Sequence, residues 1–122
     1  MAIEKQNDQR LDDLHKRRAR GKRGGGRNKI ASQHEKGKLT ARERIDFFLD
    51  PDTFEELDPF VTHWSGDTGP EGRKYDGDSV VTGFGKVGGR LTYIYAQDFT
   101  VFGGSLSEAS AEKICKVMDL SI

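Results

Sequence analysis

Residues 8–20 carry only Leu11, Leu14 and the ring of His15 among charges, a short stripe that predicts an amphipathic helix marginal on its own. A second short helix is expected over 28–36, stopped by Gly37. Thr40-Ala41-Arg42-Glu43 reads as a capping box, in which the threonine oxygen satisfies the Glu43 amide and the Glu43 carboxylate reaches back to Thr40. The helix it opens runs to about Leu49, with Ile45, Phe48 and Leu49 on one face and Phe47 widening that face. Asp50-Pro51-Asp52 ends it, because proline disfavours a helical residue before it and has no amide to donate. A short strand is expected over 53–57, where Glu55 and Glu56 would project to opposite faces.

The strongest strand rhythm lies further on. Residues 79–86 and 90–97 are rich in β-branched and aromatic side chains, and Val87-Gly88-Gly89 between them predicts a β-hairpin. The second run, Leu91-Thr92-Tyr93-Ile94-Tyr95-Ala96, has little polar alternation and reads as a strand covered on both faces of a layered α/β interior. After Asp98 the chain passes through a glycine hinge, Gly103-Gly104-Ser105, into a last helix that Ser105 or Ser107 can cap, with Glu108 favourable in its first turn. Along that helix Ala111, Ile114, Cys115, Met118 and Ile122 form one apolar stripe with Val117 beside it, a face that needs something to pack on. Residues 61–75, with a Ser-Gly-Asp-Thr-Gly-Pro-Glu-Gly stretch, read as a loop, and Trp64 within it as a packing residue.

Composition narrows the class. Of 122 residues 34% are hydrophobic and 33% charged, so a core of this size is thin. The net charge is zero but segregated: residues 1–44 hold fourteen Lys or Arg against six Asp or Glu, and the remainder holds the reverse. The single cysteine, Cys115, excludes an internal disulfide, fits a reducing compartment and is expected as a small buried hydrophobe. No apolar run is long enough to span a membrane and no signal-peptide core follows Met1, so a cytoplasmic location is expected.

Residue chemistry gives few candidates. His15, His34 and His63 lack metal-ligand spacing, and Gly103-Gly104-Ser105 lacks the pattern that exposes a catalytic serine. The basic, glycine-rich stretch from Gly21 to Gly26 suits either phosphate contact or a solvated linker between helices, and no aromatic residue is interleaved for nucleic-acid stacking. The turn at Phe102-Gly103-Gly104-Ser105 is either a tight reversal or a place where a ligand approaches backbone amides, which favour developing negative charge such as a thioester enolate.

Two blocks carry a resemblance. DFTVFGGSLS at 98–107, continued by Glu108 and by AEKICKVMD at 111–119, is similar to the carboxyltransferase (beta) subunits of biotin-dependent acyl-CoA carboxylases. Ile30-Ala31, Gln33-His34, GKLTARERI at 37–45 and FEEL at 54–57 resemble the same family in the same order, its propionyl-CoA carboxylase and methylmalonyl-CoA decarboxylase branches above all. The match is poorest over 61–75. The resemblance implies an α/β chain forming the N-terminal part of a crotonase-like layered fold preceded by helices, with residues 1–26 a basic helix and glycine-rich linker and 27–122 an incomplete carboxyltransferase domain. It implies transfer of a carboxyl group between carboxybiotin, carried on a biotin carboxylase or biotin carrier partner, and the α-carbon of an acyl-CoA, with propionyl-CoA or methylmalonyl-CoA the expected substrate. It also implies a homo-oligomer. Carried over by position, Gly103, Gly104 and Ser105 become neighbours of the thioester, while Lys38 and Arg42 are placed either against CoA phosphates or as plain surface charge.

The sequence departs from the family by lacking its Ser-Gly-Gly-Ala-Arg stretch and second domain, so an N-terminal fragment inactive on its own is expected. Two other classes compete: a polyanion-binding module built on residues 10–38, and a piece that completes a split subunit through the apolar stripe of the last helix.

Overall fold

The computed structural model describes residues 1–62 and 75–122. Among the described residues are four helices, α1 (Ala2–Lys22), α2 (Arg27–Glu35), α3 (Ala41–Phe48) and α4 (Glu108–Leu120), and three strands, β1 (Glu55–Leu57), β2 (Val80–Val87) and β3 (Arg90–Gln97), with α3 and α4 packed on the strands. The strands form one antiparallel sheet in the order β1-β2-β3, with Leu57 opposite Thr82 and Val81 opposite Ala96. The expected loop over 61–75, with His63 and Trp64, falls mostly outside the described residues.

The local signals act as expected. The Thr40 hydroxyl oxygen accepts the Glu43 amide at 3.2 Å and donates to the Glu43 carboxylate at 3.0 Å. His34 of α2 lies 2.7 Å from that carboxylate, so one acidic side chain ties cap, α2 and α3 together and is held below its ordinary pKa, first by the histidine contact. Gly88 and Gly89 form the two-residue hairpin turn with φ of 56° and 80°, the left-handed pair that matches strand twist. Their amides donate to the Asp50 carboxylate at 2.9 and 2.8 Å, which lowers its pKa and fastens the end of α3 to the hairpin.

Ala41, Ile45 and Leu49 of the α3 segment pack with Val81, backed by Phe54, Val87, Ile94 and Ala96, and form the apolar core. Phe48 does not join this face. It is 59% exposed and Phe47 is 87% exposed, because the i, i+4 stripe through Ala41 and Ile45 takes the contact and turns both rings outward. Nor is β3 covered on both faces. It is an edge strand with partly exposed side chains, while central β2 is the buried one, with Val80 and Thr82 fully inaccessible.

α4 differs most from its expected packing. Its buried residues are Ala109, Ser110, Lys113 and Val117, whereas Ala111, Cys115, Met118 and Ile122 are exposed. Polar groups just before β2 decide this. Asp78, buried with φ of 54°, takes a short hydrogen bond from the Ser107 hydroxyl and one at 2.7 Å from Ser110. The Lys113 ammonium donates to the Gly77 and Val80 carbonyl oxygens at 2.7 and 2.6 Å. Burying these groups unpaired would cost more than exposing a few methyls, so the polar stripe turns inward. Burial pushes the Lys113 amine down to about 8, against the opposing charges of Glu56, Asp58 and Asp78.

Candidate functional site

The strand-to-helix connection begins at Asp98, whose buried carboxylate accepts the Thr100 amide at 2.9 Å and the Thr100 hydroxyl at 2.5 Å. The Val101 amide closes back on the Asp98 carbonyl at 3.1 Å. Phe102, Gly103 and Gly104 then run with φ of 48°, 62° and 74°, a left-handed succession that side chains other than glycine resist. The Gly104 amide donates to Val101 at 2.9 Å and the Ser105 amide to Phe102 at 3.1 Å. The Gly104 carbonyl accepts the Gln97 side chain at 3.1 Å, and the Ser105 carbonyl accepts the Ser79 hydroxyl at 2.5 Å. Two of the amides in this turn therefore hold its own shape. Gly103 and Ser105 are exposed and Gly104 is buried. The start of α4 already has its anion: Ser107 caps the Ser110 amide and itself leans on the Asp78 carboxylate.

Beside the turn lies an apolar cleft of about 610 Å³ between α3 and β3, lined by Leu39, Phe48, Ile94, Tyr95 and Phe99, with Arg44 on its wall. An adjoining hollow of about 410 Å³ shares Leu39, Arg44 and Phe99 and adds Lys38. The Phe99 ring rests so close to Gly104 that a Cβ there would come within 3.0 Å of it, and Gln97 lines the cleft while holding the Gly104 carbonyl. Phe99 and Gln97 thus join the cleft wall to Gly104.

Of the residues nominated from sequence, Lys38 lines the adjoining hollow, whereas Gly103, Gly104 and Ser105 line neither hollow and Gly104 alone meets the cleft wall, through Gln97 and Phe99. Arg42 lies elsewhere: its guanidinium forks onto Glu56 with both terminal nitrogens at 2.8 Å, and it lines a separate hollow with Lys22, Asp46 and Asp50. Arg44, Gln97 and Phe99 line the cleft without having been nominated. For Arg44 a signal exists, because residues two apart on a helix lie on nearly opposite sides, so Arg42 and Arg44 cannot both flank one cleft. Phe99 and Gln97 carry no such signal. Among the described residues no three His, Cys, Asp or Glu side chains are grouped to hold a metal ion, and no helix is long and apolar enough to cross a membrane.

The crotonase-like α/β architecture is that of a carboxyltransferase-type chain, and residues 32–122 match the carboxyl transferase domain family. The chain belongs to that family. It is 57% identical over 112 residues to the propionyl-CoA carboxylase carboxyltransferase subunit of Haloferax mediterranei, covering 92% of this chain and 22% of that protein. It is 58% identical over 101 residues to the human mitochondrial propionyl-CoA carboxylase beta chain, covering 81% and 19%. Among solved structures, transcarboxylase 12S with methylmalonyl-coenzyme A and methylmalonic acid bound superposes with a TM-score of 0.87 at 37% identity, covering 93% of this chain and 22% of that one. A single-chain, multi-domain long-chain acyl-CoA carboxylase gives a TM-score of 0.80 at 28% identity, covering 91% and 12%. The chain spans about a fifth of the length of the curated relatives it matches.

Proposed function

We propose that this chain forms the acyl-CoA-binding part of a carboxyltransferase that moves a carboxyl group between carboxybiotin and the α-carbon of an acyl-CoA, with propionyl-CoA and methylmalonyl-CoA as the substrate pair. One observation carries the reading: an apolar cleft flanked by Lys38 and Arg44 shares two of its wall residues, Gln97 and Phe99, with Gly104 of the glycine turn. A cleft of this size suits a pantetheine arm, the two cations suit CoA phosphates, and a turn without side chains lets a thioester come close. The transcarboxylase 12S structure, bound to methylmalonyl-coenzyme A, supports the substrate class.

Biotin enters on a partner, a biotin carboxylase or carrier subunit, and the working assembly is a homo-oligomer; the hexamer named for transcarboxylase 12S supports the latter. The Gly104 and Ser105 amides already donate within the turn and so do not fit as donors to a ureido ring. No step of the reaction is therefore assigned through biotin to this chain's residues. Residues 1–26 form a basic arm on the domain of 27–122. A cytoplasmic location fits the single free thiol.

Calorimetric titration with propionyl-CoA, CoA and propionate tests the proposal. Propionyl-CoA and CoA should bind and propionate should not. Lys38→Ala and Arg44→Ala should each weaken CoA binding about 2- to 5-fold, on the scale of one solvent-exposed ion pair. Absence of binding, or indifference to both substitutions, would overturn it.

A further inference from the structure

The glycine-rich corner between α1 and α2 does not line the cleft, yet its backbone packs closely on Asp98 and Thr100. The Gly25 amide donates to the Thr100 hydroxyl at 3.0 Å, and that hydroxyl donates in turn to the Asp98 carboxylate at 2.5 Å. A Cβ on Gly25 would run into the Thr100 carbonyl oxygen, and one on Gly24, whose φ is 51°, would come within 2.5 Å of the Asp98 carboxylate and 2.7 Å of the Thr100 hydroxyl. Asp98 and Thr100 are both buried. The other side of the corner is pinned as well. Arg17 holds Asp76 at 3.1 Å and lies 4.9 Å over the Phe60 ring, and Arg20 reaches Asp76 at 3.5 Å.

From these contacts we infer that the Gly24-Gly25 corner is a clasp on the Asp98–Thr100 bend, making Gly25 and Thr100 positioning residues for the turn at 103–105; the inference rests on the acyl-CoA reading of that turn. The path is short and continuous. Gly25 fixes the Thr100 hydroxyl, Thr100 fixes the Asp98 carboxylate, the Asp98 carbonyl takes the Val101 amide, and the Val101 carbonyl takes the Gly104 amide. Asp98 is followed directly by Phe99, which walls the cleft and rests on Gly104. A shift of the bend therefore moves the thioester side of the region and leaves Lys38 and Arg44, carried by α3 and its approach, where they are. The glycines serve backbone approach at this corner, and the basic residues between them face solvent or flank it.

The test compares Gly25→Ala, Thr100→Val, Thr100→Ser and Gly21→Ala in the full 122-residue chain, reading backbone amide resonances and binding of propionyl-CoA and CoA. Gly21 is a control in the same stretch, since a Cβ there meets only ordinary contacts at 3.5 Å or more. Gly25→Ala and Thr100→Val should shift the Gly103, Gly104 and Ser105 resonances, leave Gly88 and Gly89 unmoved, and weaken propionyl-CoA about tenfold while CoA changes less than about twofold. Thr100→Ser keeps the hydroxyl and, like Gly21→Ala, should leave both readouts as in the unsubstituted chain. If Gly25→Ala does not fold, Thr100→Val carries the test alone. Folded variants with unmoved 103–105 resonances, or with moved resonances and unchanged propionyl-CoA affinity, overturn the clasp. Failure of the unsubstituted chain to bind propionyl-CoA would instead sink the acyl-CoA reading and with it the positioning role, while the resonances would still report the mechanical coupling.

Discussion

Arg42 and Glu56 meet side by side, the two terminal guanidinium nitrogens each donating to a carboxylate oxygen at 2.8 Å, in a pair that is largely buried between α3 and β1. This fork makes Arg42 a structural residue of the sheet edge and separates it from Lys38 and Arg44. Arg42→Ala should cost about 1.5–3 kcal/mol by urea unfolding, the range for bonds between charged groups, and leave CoA affinity unchanged. Arg42→Lys should recover only part of the loss, because an ammonium cannot fill both positions.

Lys113 gives the chain an alkaline stability signature. Its amine is held at about 8 in the folded chain, against an ordinary value of 10.5. Between those values the unfolded chain binds the extra proton, so stability rises with pH across that window. The contribution is complete above 10.5 and is lost as pH falls through about 8. The full effect is on the order of 3 kcal/mol. A neutral amine retains two N–H groups for Gly77 and Val80, so the contacts survive deprotonation. Urea midpoints between about pH 7 and 10 should climb more steeply for the unsubstituted chain than for Lys113→Met, and parallel curves would refute the assignment.

The α2–α3 joint titrates at the acid end. Glu43 is held below its ordinary 4.5 first by His34. Its contribution is therefore present above about 4.5 and is lost as pH falls through the lower folded value. His34→Ala should return the Glu43 pKa toward 4.5 in a carboxyl-carbon NMR titration. Thr40→Ala should cost about 1 kcal/mol through the lost cap.

Cys115 stands on the outer face of α4. In native buffer the 122-residue chain should release one equivalent of thionitrobenzoate from Ellman's reagent at a rate little changed by denaturant. A thiol that reacts only after unfolding would mean that this face of α4 is covered.

Where neighbours along the chain decide the outcome, the fold is legible in the sequence. Thr40 and Ser107 cap helices because the signal lies within three residues of each, and Gly88-Gly89 can make little else between two β-rich runs. Expectation and structure part where distant residues decide. The apolar stripe Ala111-Cys115-Met118 reads as a buried face until Asp78, Gly77 and Val80, some thirty residues earlier, claim Ser110 and Lys113. Likewise β3 reads as an interior strand from composition, since nothing in its own eight residues reports that β1 pairs with the other side of β2. In the candidate site the glycine turn is legible and the cleft is not, because Lys38, Arg44 and Phe99 come together only when α3 lies across the sheet.

The central claim is that an acyl-CoA lies in the cleft between α3 and β3 with its thioester at the glycine turn, and amide-resonance mapping during a propionyl-CoA titration tests it most directly. Saturable shifts are expected at Lys38, Leu39, Arg44, Phe99 and 103–105, with the Gly88-Gly89 hairpin end silent. Shifts confined to α1 and the basic corner, or none at millimolar ligand, would contradict it.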